Sequence, residues 1–352
     1  MILSIALLLA QTMLSASTFP GADQCAQLQA AIDAAVAAGG GQVEADFNHG
    51  TYTCASGFVV KPGVHVYLLA GQRYIVGGQV WVQQNAHLLG FGTAPIGIAG
   101  ATVIQAANGL NNDVLLVENS AGPAAGIMWA EVGWIRIEGN GANQTAGNCL
   151  TVNQLDDTNS LHDIMLKSCW GWGIHFTGLN SGASTIDDIS IFSSLHGGAL
   201  FFDGTESGLY FGRVHAAGNV GPAIYCKSTT GATTLTFGSF QLEGSNITRA
   251  GTPAIVSDGT TSNCRMHFIA FSASSVVGGT DFIRHLAAGV STSTPTVIFD
   301  DVNLSNNAQY PTFYRDLHNN YSVPISMLTP SGHAVNVTIY PWLAPYSTVK
   351  IN

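Results

Sequence analysis

Charge is scarce in this chain. Only 9% of its 352 residues are Asp, Glu, Lys or Arg, against about 25% in an average globular protein. That scarcity excludes long solvent-facing helices, whose outer faces are built from Lys, Glu and Arg. Cations are rarer still: 11 Lys plus Arg stand against 21 Asp plus Glu, a net charge of −10. Such a balance lacks the basic footprint of a nucleic-acid binder and offers nothing to an anionic membrane surface, so neither partner is expected. An anionic sugar polymer is not excluded, because a local basic cluster or a bound metal ion overrides the net field. No CxxC or Cys/His spacing suits zinc, and no metal is expected on that ground.

What the chain has is apolar mass and glycine. Hydrophobic residues make up 46% and glycine 41 positions, which argues against disorder and for many short strands joined by turns. The first residues, MILSIALLLAQTMLSA, form an apolar run followed by small residues at Ser15, Ala16 and Ser17. Residues 1–17 resemble a signal peptide, although without Lys or Arg in front of the run, and they imply a secreted, extracellular or periplasmic protein. The run is too short for a membrane span, and no later stretch resembles one. Six cysteines, Cys25, Cys54, Cys149, Cys169, Cys226 and Cys264, permit fifteen pairings. Joining sequence neighbours is the simplest of these; buried free thiols are the alternative.

Residues 23–38 read as the one clear helix, with Leu28, Ile32 and Ala35 at helical spacing and Gly39-Gly40-Gly41 behind them. A short strand-like triplet then recurs, ending at Ile137, Leu166, Ile191, Val214, Leu242, Phe271 and Leu304, at steps of 29, 25, 23, 28, 29 and 33 residues. A loose period of this size marks a solenoid whose repeats bury their faces only by stacking. Earlier coils are expected at 64–69, 87–91 and 114–117, giving about a dozen in all. The expected fold is all-β: a single-stranded right-handed parallel β-helix over residues 18–308, capped by the helix 23–38. The Pro- and Tyr-containing tail 309–352 would close its end; a β-sandwich is the alternative.

The stretch 28–43, LQAAIDAAVAAGGGQV, followed by Gly50-Thr51-Tyr52, resembles the opening of right-handed parallel β-helix proteins of the pectate-lyase-like superfamily, with Asn48-His49 where proline usually stands. Ile137-Glu-Gly-Asn-Gly-Ala-Asn143 resembles a further coil of that superfamily. The resemblance covers residues 20–310. It implies the fold, but leaves lyases, hydrolases, tail spikes and adhesins open.

Stacked coils turn outward positions into columns about 4.8 Å apart. If the apolar triplet residues point inward, the outward sets are Trp134/Arg136/Glu138, Asp163/Met165/Lys167, Asp188/Ser190/Phe192, Phe211/Arg213/His215, Ser239/Gln241/Glu243, Phe268/Ala270/Ser272 and Asp301/Asn303/Ser305. This mixture of aromatic, acidic and basic groups suits a polysaccharide. Asp163 and Asp188 are the candidate catalytic pair, at roughly 5 Å on adjacent coils. Asp187 is expected to point to the opposite side of its strand unless a turn begins there. Arg213, one strand position over from Asp188, and His215 would orient the substrate. Trp134, Arg136, Glu138, Lys167, Phe192, Gln241 and Glu243 would bind it.

Polygalacturonase-like members carry an Asp, then Asp-Asp, then His-Gly and Arg-x-Lys; here Asp163 and Asp187-Asp188 match, His196-Gly197 comes too soon and Arg213-Val-His215 lacks the Lys. Glycoside hydrolysis by paired carboxylates is therefore the leading expectation, without a cofactor. The alternatives are a lyase, with Ca²⁺ as an aid, or a non-catalytic adhesin or spike. A monomer is expected, a trimer if the chain is a spike.

Overall fold

A computed structural model describes residues 13–92, 100–181, 184–227, 233–244, 252–258, 264–274, 281–286, 297–304, 312–316, 321–324, 333–340 and 348–351. The leader residues 1–12 and the outward candidate Ser305 lie outside the described residues. The helix Gln24–Ala37 opens on Asp23, whose carboxylate accepts a hydrogen bond from the Ala26 N–H at 2.9 Å. Such a cap satisfies one of the orphan donors of the first turn. Cys25, Leu28, Ala31, Ile32 and Ala35 form its buried face. A disulfide from Cys25 to Cys54 ties the helix to the first coil.

After the helix the chain is a right-handed parallel β-helix of about nine turns. Each coil has three legs. The first includes Gly41–Ala45, Val64–Leu68 and His87–Leu89; the second includes Gly50–Cys54, Gln72–Val76 and Val103–Ala106; the third includes Val59–Val60, Val80–Val82 and Leu115–Val117. Alternation fixes the register: in Val64–Leu68 the valines and Leu68 are buried while His65 and Tyr67 face out.

From Glu131 onward the first two legs fuse into one strand bent in the middle. These fused strands, Glu131–Glu138, Ser160–Lys167, Thr185–Phe192, Leu209–Ala217, Thr233–Glu243, Cys264–Ser274 and Val297–Asn303, pair in parallel, each on the next. Turns are fewer than the expected dozen because one early coil is long, Glu131 pairing with His87 44 positions earlier, and because the wall continues beyond Asn303 with antiparallel strands instead of further coils.

The remaining two disulfides join Cys149 to Cys169 and Cys226 to Cys264, so all three link sequence neighbours. The first rung is Leu14–Ser15, which pairs with Gly41–Ala45, and Ala16 behind it is fully buried. Residues expected at a cleavage site therefore pack on the body. At the far end strand direction reverses: His333–Tyr340 runs antiparallel to Val297–Asn303, and Thr348–Ile351 antiparallel to that. Strands of reversed direction cover the last parallel edge of this wall, which would otherwise offer unpaired N–H and C=O groups.

Candidate active site at the bend

Where the two legs meet, strict alternation fails in one systematic way. In Thr185–Phe192, Ile186 is buried, Asp187 and Asp188 both face out, and Ile189 is buried again. The same two outward neighbours occur at Gly212-Arg213, Gly238-Ser239 and Asp300-Asp301. One extra outward residue per coil turns the corner, much as a bulge does.

This meets the exception allowed for Asp187, which faces the same way as Asp188 because the strand turns there, and it overturns two expectations. Phe211 and Phe268 are fully buried core residues, not groove residues. Arg213 is in register with Asp188, because Ile186 pairs with Phe211 and Ile189 with Val214. The corner column is therefore Trp134, Asp163, Asp188, Arg213, Ser239, Ala270, Asp301.

Trp134, Asp163 and Asp188 have φ of 50°, 51° and 52°. That left-handed region is costly for a tryptophan and tolerated by Asp. Three consecutive rungs thus hold strained backbone at one corner, a pattern enriched at functional sites.

The side chains of these rungs form two adjoining networks. In the first, the Glu131 carboxylate bridges two imidazoles, His87 Nδ1 at 2.9 Å and His162 Nε2 at 3.0 Å. His162 Nδ1 lies 3.0 Å from Asp163 Oδ2, and Trp134 packs edge-on to the His162 ring at 4.7 Å. His65 stacks on His87 at 3.9 Å. Burial works against protonating His162, but its hydrogen bonds to Asp163 and Glu131 outweigh this and raise its pKa. Burial and neighbouring His65 lower that of His87, despite Glu131. In the second network, Arg213 grips Asp188 with Nε at 3.0 Å and Nη2 at 2.5 Å. Asp187 accepts hydrogen bonds from the backbone N–H of Asp188 and of Arg213, both at 2.8 Å, and so pins the corner itself.

The other expected residues divide. Trp134 is at the corner and 44% exposed. His215 is two positions along the second leg, in register with Ser190 and Gln241; its Nε2 meets Glu243 Oε2 at 3.2 Å and its ring meets Phe192 edge-on at 5.2 Å. It belongs with Phe192, Gln241 and Glu243, not with the acids. Arg136 is nearly buried and Glu138 is engaged by both Arg136 and Arg73, so neither stands free on an open groove floor. Lys167 is half-buried, in register with Glu138. His196-Gly197 lies by the third leg, where His196 contacts Trp170, and takes no part in the corner.

Glu131, His87 and His162 were not singled out from sequence. The signal was present: an Asp preceded by His in one coil, and a carboxylate three residues before Trp134 in the coil above. The one compact cluster of metal-type ligands among the described residues, Asp23 with Cys25 and Cys54, has its sulfurs joined in a disulfide and its carboxylate used as a helix cap. Compared with known proteins, the chain matches no family model, no curated protein and no solved structure.

Proposed function

We propose that this chain is a secreted, carbohydrate-active member of the pectate-lyase-like β-helix proteins, and that it hydrolyses glycosidic bonds of a polysaccharide laid along the corner. One observation carries the reading: Asp163 and Asp188 occupy the same corner position on consecutive rungs, one beside an imidazole and the other beside a guanidinium. Glycoside hydrolysis needs two groups in different roles, one giving a proton to the leaving oxygen and one attacking or activating water. Asp188 is clamped by a guanidinium that does not lose its proton, which suits the base or nucleophile. Asp163 and His162 share a hydrogen bond and form the proton-donating pair. Trp134, half-exposed beside them, offers an aromatic face for a sugar ring. Three disulfides agree with an oxidising compartment.

A lyase is the weaker reading, because the one guanidinium of the corner column, Arg213, is committed to Asp188 and is not free to neutralise a uronate carboxyl. Calcium is not part of the proposal: Asp188 is taken by Arg213, Asp163 by His162, and Asp187 by backbone N–H groups, leaving few free oxygens for a cage.

The test is a panel of plant and microbial polysaccharides. Wild-type protein should release new reducing ends without the absorbance of an unsaturated uronate. Asp163→Asn and Asp188→Asn, both tolerant of the left-handed backbone, should each lower the rate by about 10²- to 10⁴-fold with folding unchanged. Unchanged rates would remove these residues from the site. Cleavage with that absorbance would make the chain a lyase. Binding without cleavage, by a native trimer, would make it a spike-type binder.

A further inference from the structure

The small residues that read as the end of a leader occupy built positions in the first coil. Leu14–Ser15 is a strand paired in parallel with Gly41–Ala45, Leu14 against Val43 and Ser15 against Glu44. Gly41–Ala45 pairs on its other side with Val64–Leu68. Leu14–Ser15 is therefore the short strand that covers this end of the wall. Its removal would bare the N–H and C=O groups of a five-residue strand, and a very short edge strand is one way to blunt such an edge.

The size of these side chains has a cause in packing. Ala16 is fully buried in the core, and Leu14 and Phe19 pack partly buried against the same core. A longer side chain at a closely packed position strains its neighbours. The hydroxyls of Ser15 and Ser17 both donate to Asp46 Oδ2, the second at 2.7 Å, and the Ser17 N–H donates to Asp46 Oδ1 at 2.8 Å. Burial acts to raise the Asp46 pKa, but these bonds outweigh it and lower it, so the acceptor is an ionised carboxylate. The Thr18 hydroxyl donates to the Ser15 carbonyl at 2.7 Å. The Phe19 N–H donates to the Ala16 carbonyl at 3.1 Å, and the Phe19 carbonyl accepts from Gln27 Nε2 at 3.0 Å. The segment thus runs from the first rung straight onto the helix. A cut after Ser17 would remove the rung, the buried Ala16 and all three of these donors to Asp46.

We propose that the mature protein keeps Leu14–Thr18 as its first rung, so that leader removal cuts before Leu14 and not after Ser17. Ala10-Gln11-Thr12, directly ahead of Met13, offers the small residues that such a cut needs. The proposal rests on the secreted reading for there being a leader to remove. The rung itself stands on the contacts of Leu14, Ala16 and Asp46.

The experiment expresses the full-length gene in a host that exports it and reads the N-terminus of the purified protein by sequencing and intact mass. The first residue should be no later than Leu14. A start at Ser15 or beyond would overturn the proposal.

A second measurement reads the rung whatever becomes of the leader. Asp46→Ala should lower the folding equilibrium constant by about tenfold or more in chemical denaturation, the scale of one charged hydrogen bond. Asp46→Asn, which keeps one acceptor oxygen, should fall between the two and decides the matter if Asp46→Ala does not fold. Variants as stable as wild type would overturn the rung, because Asp46 would then have lost nothing. An uncut chain that stays in the cells, together with a destabilised Asp46 variant, would uphold the rung and overturn the secreted reading.

Discussion

The coils from Glu131 to Phe192 and those from Leu209 to Asn303 share one backbone path and differ in what fills it. Upstream, the core positions are aliphatic: Val132, Ile135 and Ile137, then Leu161, Ile164 and Leu166, then Ile186, Ile189 and Ile191. Downstream they become a column of stacked rings, Phe211 on Phe237 at 4.8 Å, Phe237 on Phe268 at 4.8 Å and Phe268 on Phe299 at 5.0 Å. The corner changes in the opposite sense. It is crowded with His162, Asp163, Asp187 and Asp188 upstream, keeps only Arg213 on the first downstream rung, falls to Gly238-Ser239 and Ile269-Ala270 on the next two, and turns acidic again only at Asp300-Asp301. A solenoid lets inward and outward columns vary independently, so packing and chemistry need not compete for the same residues.

The largest effect expected in a stability comparison is in the downstream core. Phe268→Ala removes a ring stacked on two neighbours and touching two more, and should cost about 3–5 kcal/mol. Ile164→Ala, its upstream counterpart, should cost about 2–5 kcal/mol, at the low end if the aliphatic coil closes around the gap. Chemical denaturation of both variants decides the order. A cost at Ile164 above that at Phe268 would mean that the rings add no stability beyond their area.

A smaller effect separates two imidazoles of the upstream corner. His162, with its pKa raised, contributes stability that is complete below its unfolded value near 6.5 and is lost as pH rises through the folded value. His87, with its pKa lowered, contributes stability present above the unfolded value and lost as pH falls through the folded one. NMR titration of the ring protons should therefore give His162 a midpoint above 6.5 and His87 one below it. Glu131→Gln removes the shared carboxylate and should bring the His162 midpoint down. If that midpoint stays put, Asp163 alone sets it.

Much of this architecture was legible from residues alone. The helix at 23–38 and the triplets ending at Ile137, Leu166 and Ile191 lie where spacing places them, because period and alternation are local properties of a chain. The corner was legible only in part. Asp163 and Asp188 fall in one column on spacing, but the single extra outward residue per coil does not announce itself, since Trp, Asp, Arg, Ser and Ala all occupy the corner column. Missing it displaced Arg213 by one position and put Phe211 and Phe268 outside. Arg136 shows a second limit: its outward direction follows from alternation, while its burial depends on Arg73 and Glu138, the former more than sixty residues earlier.

The subtlest contrast lies at the end of the fused strands. Ser168, Ser193, Gly218 and Gly244 occupy the same turn on successive rungs, each N–H donating to the carbonyl of the next rung. Their φ values are 52°, 59°, 65° and 50°. Upstream rungs make this left-handed turn with serine, downstream rungs with glycine, which adopts it without penalty. Ser193→Gly should therefore stabilise the protein by up to about 1 kcal/mol, the gain offset in part by a more flexible unfolded chain. Gly244→Ser should destabilise it by a similar amount through backbone strain alone, because a Cβ at Gly244 meets nothing within 4 Å. Paired denaturation curves read both signs. A loss of stability in Ser193→Gly would show that its hydroxyl contributes more than the strained backbone costs, and would make the serine turns an adaptation of the upstream coils instead of a tolerated expense.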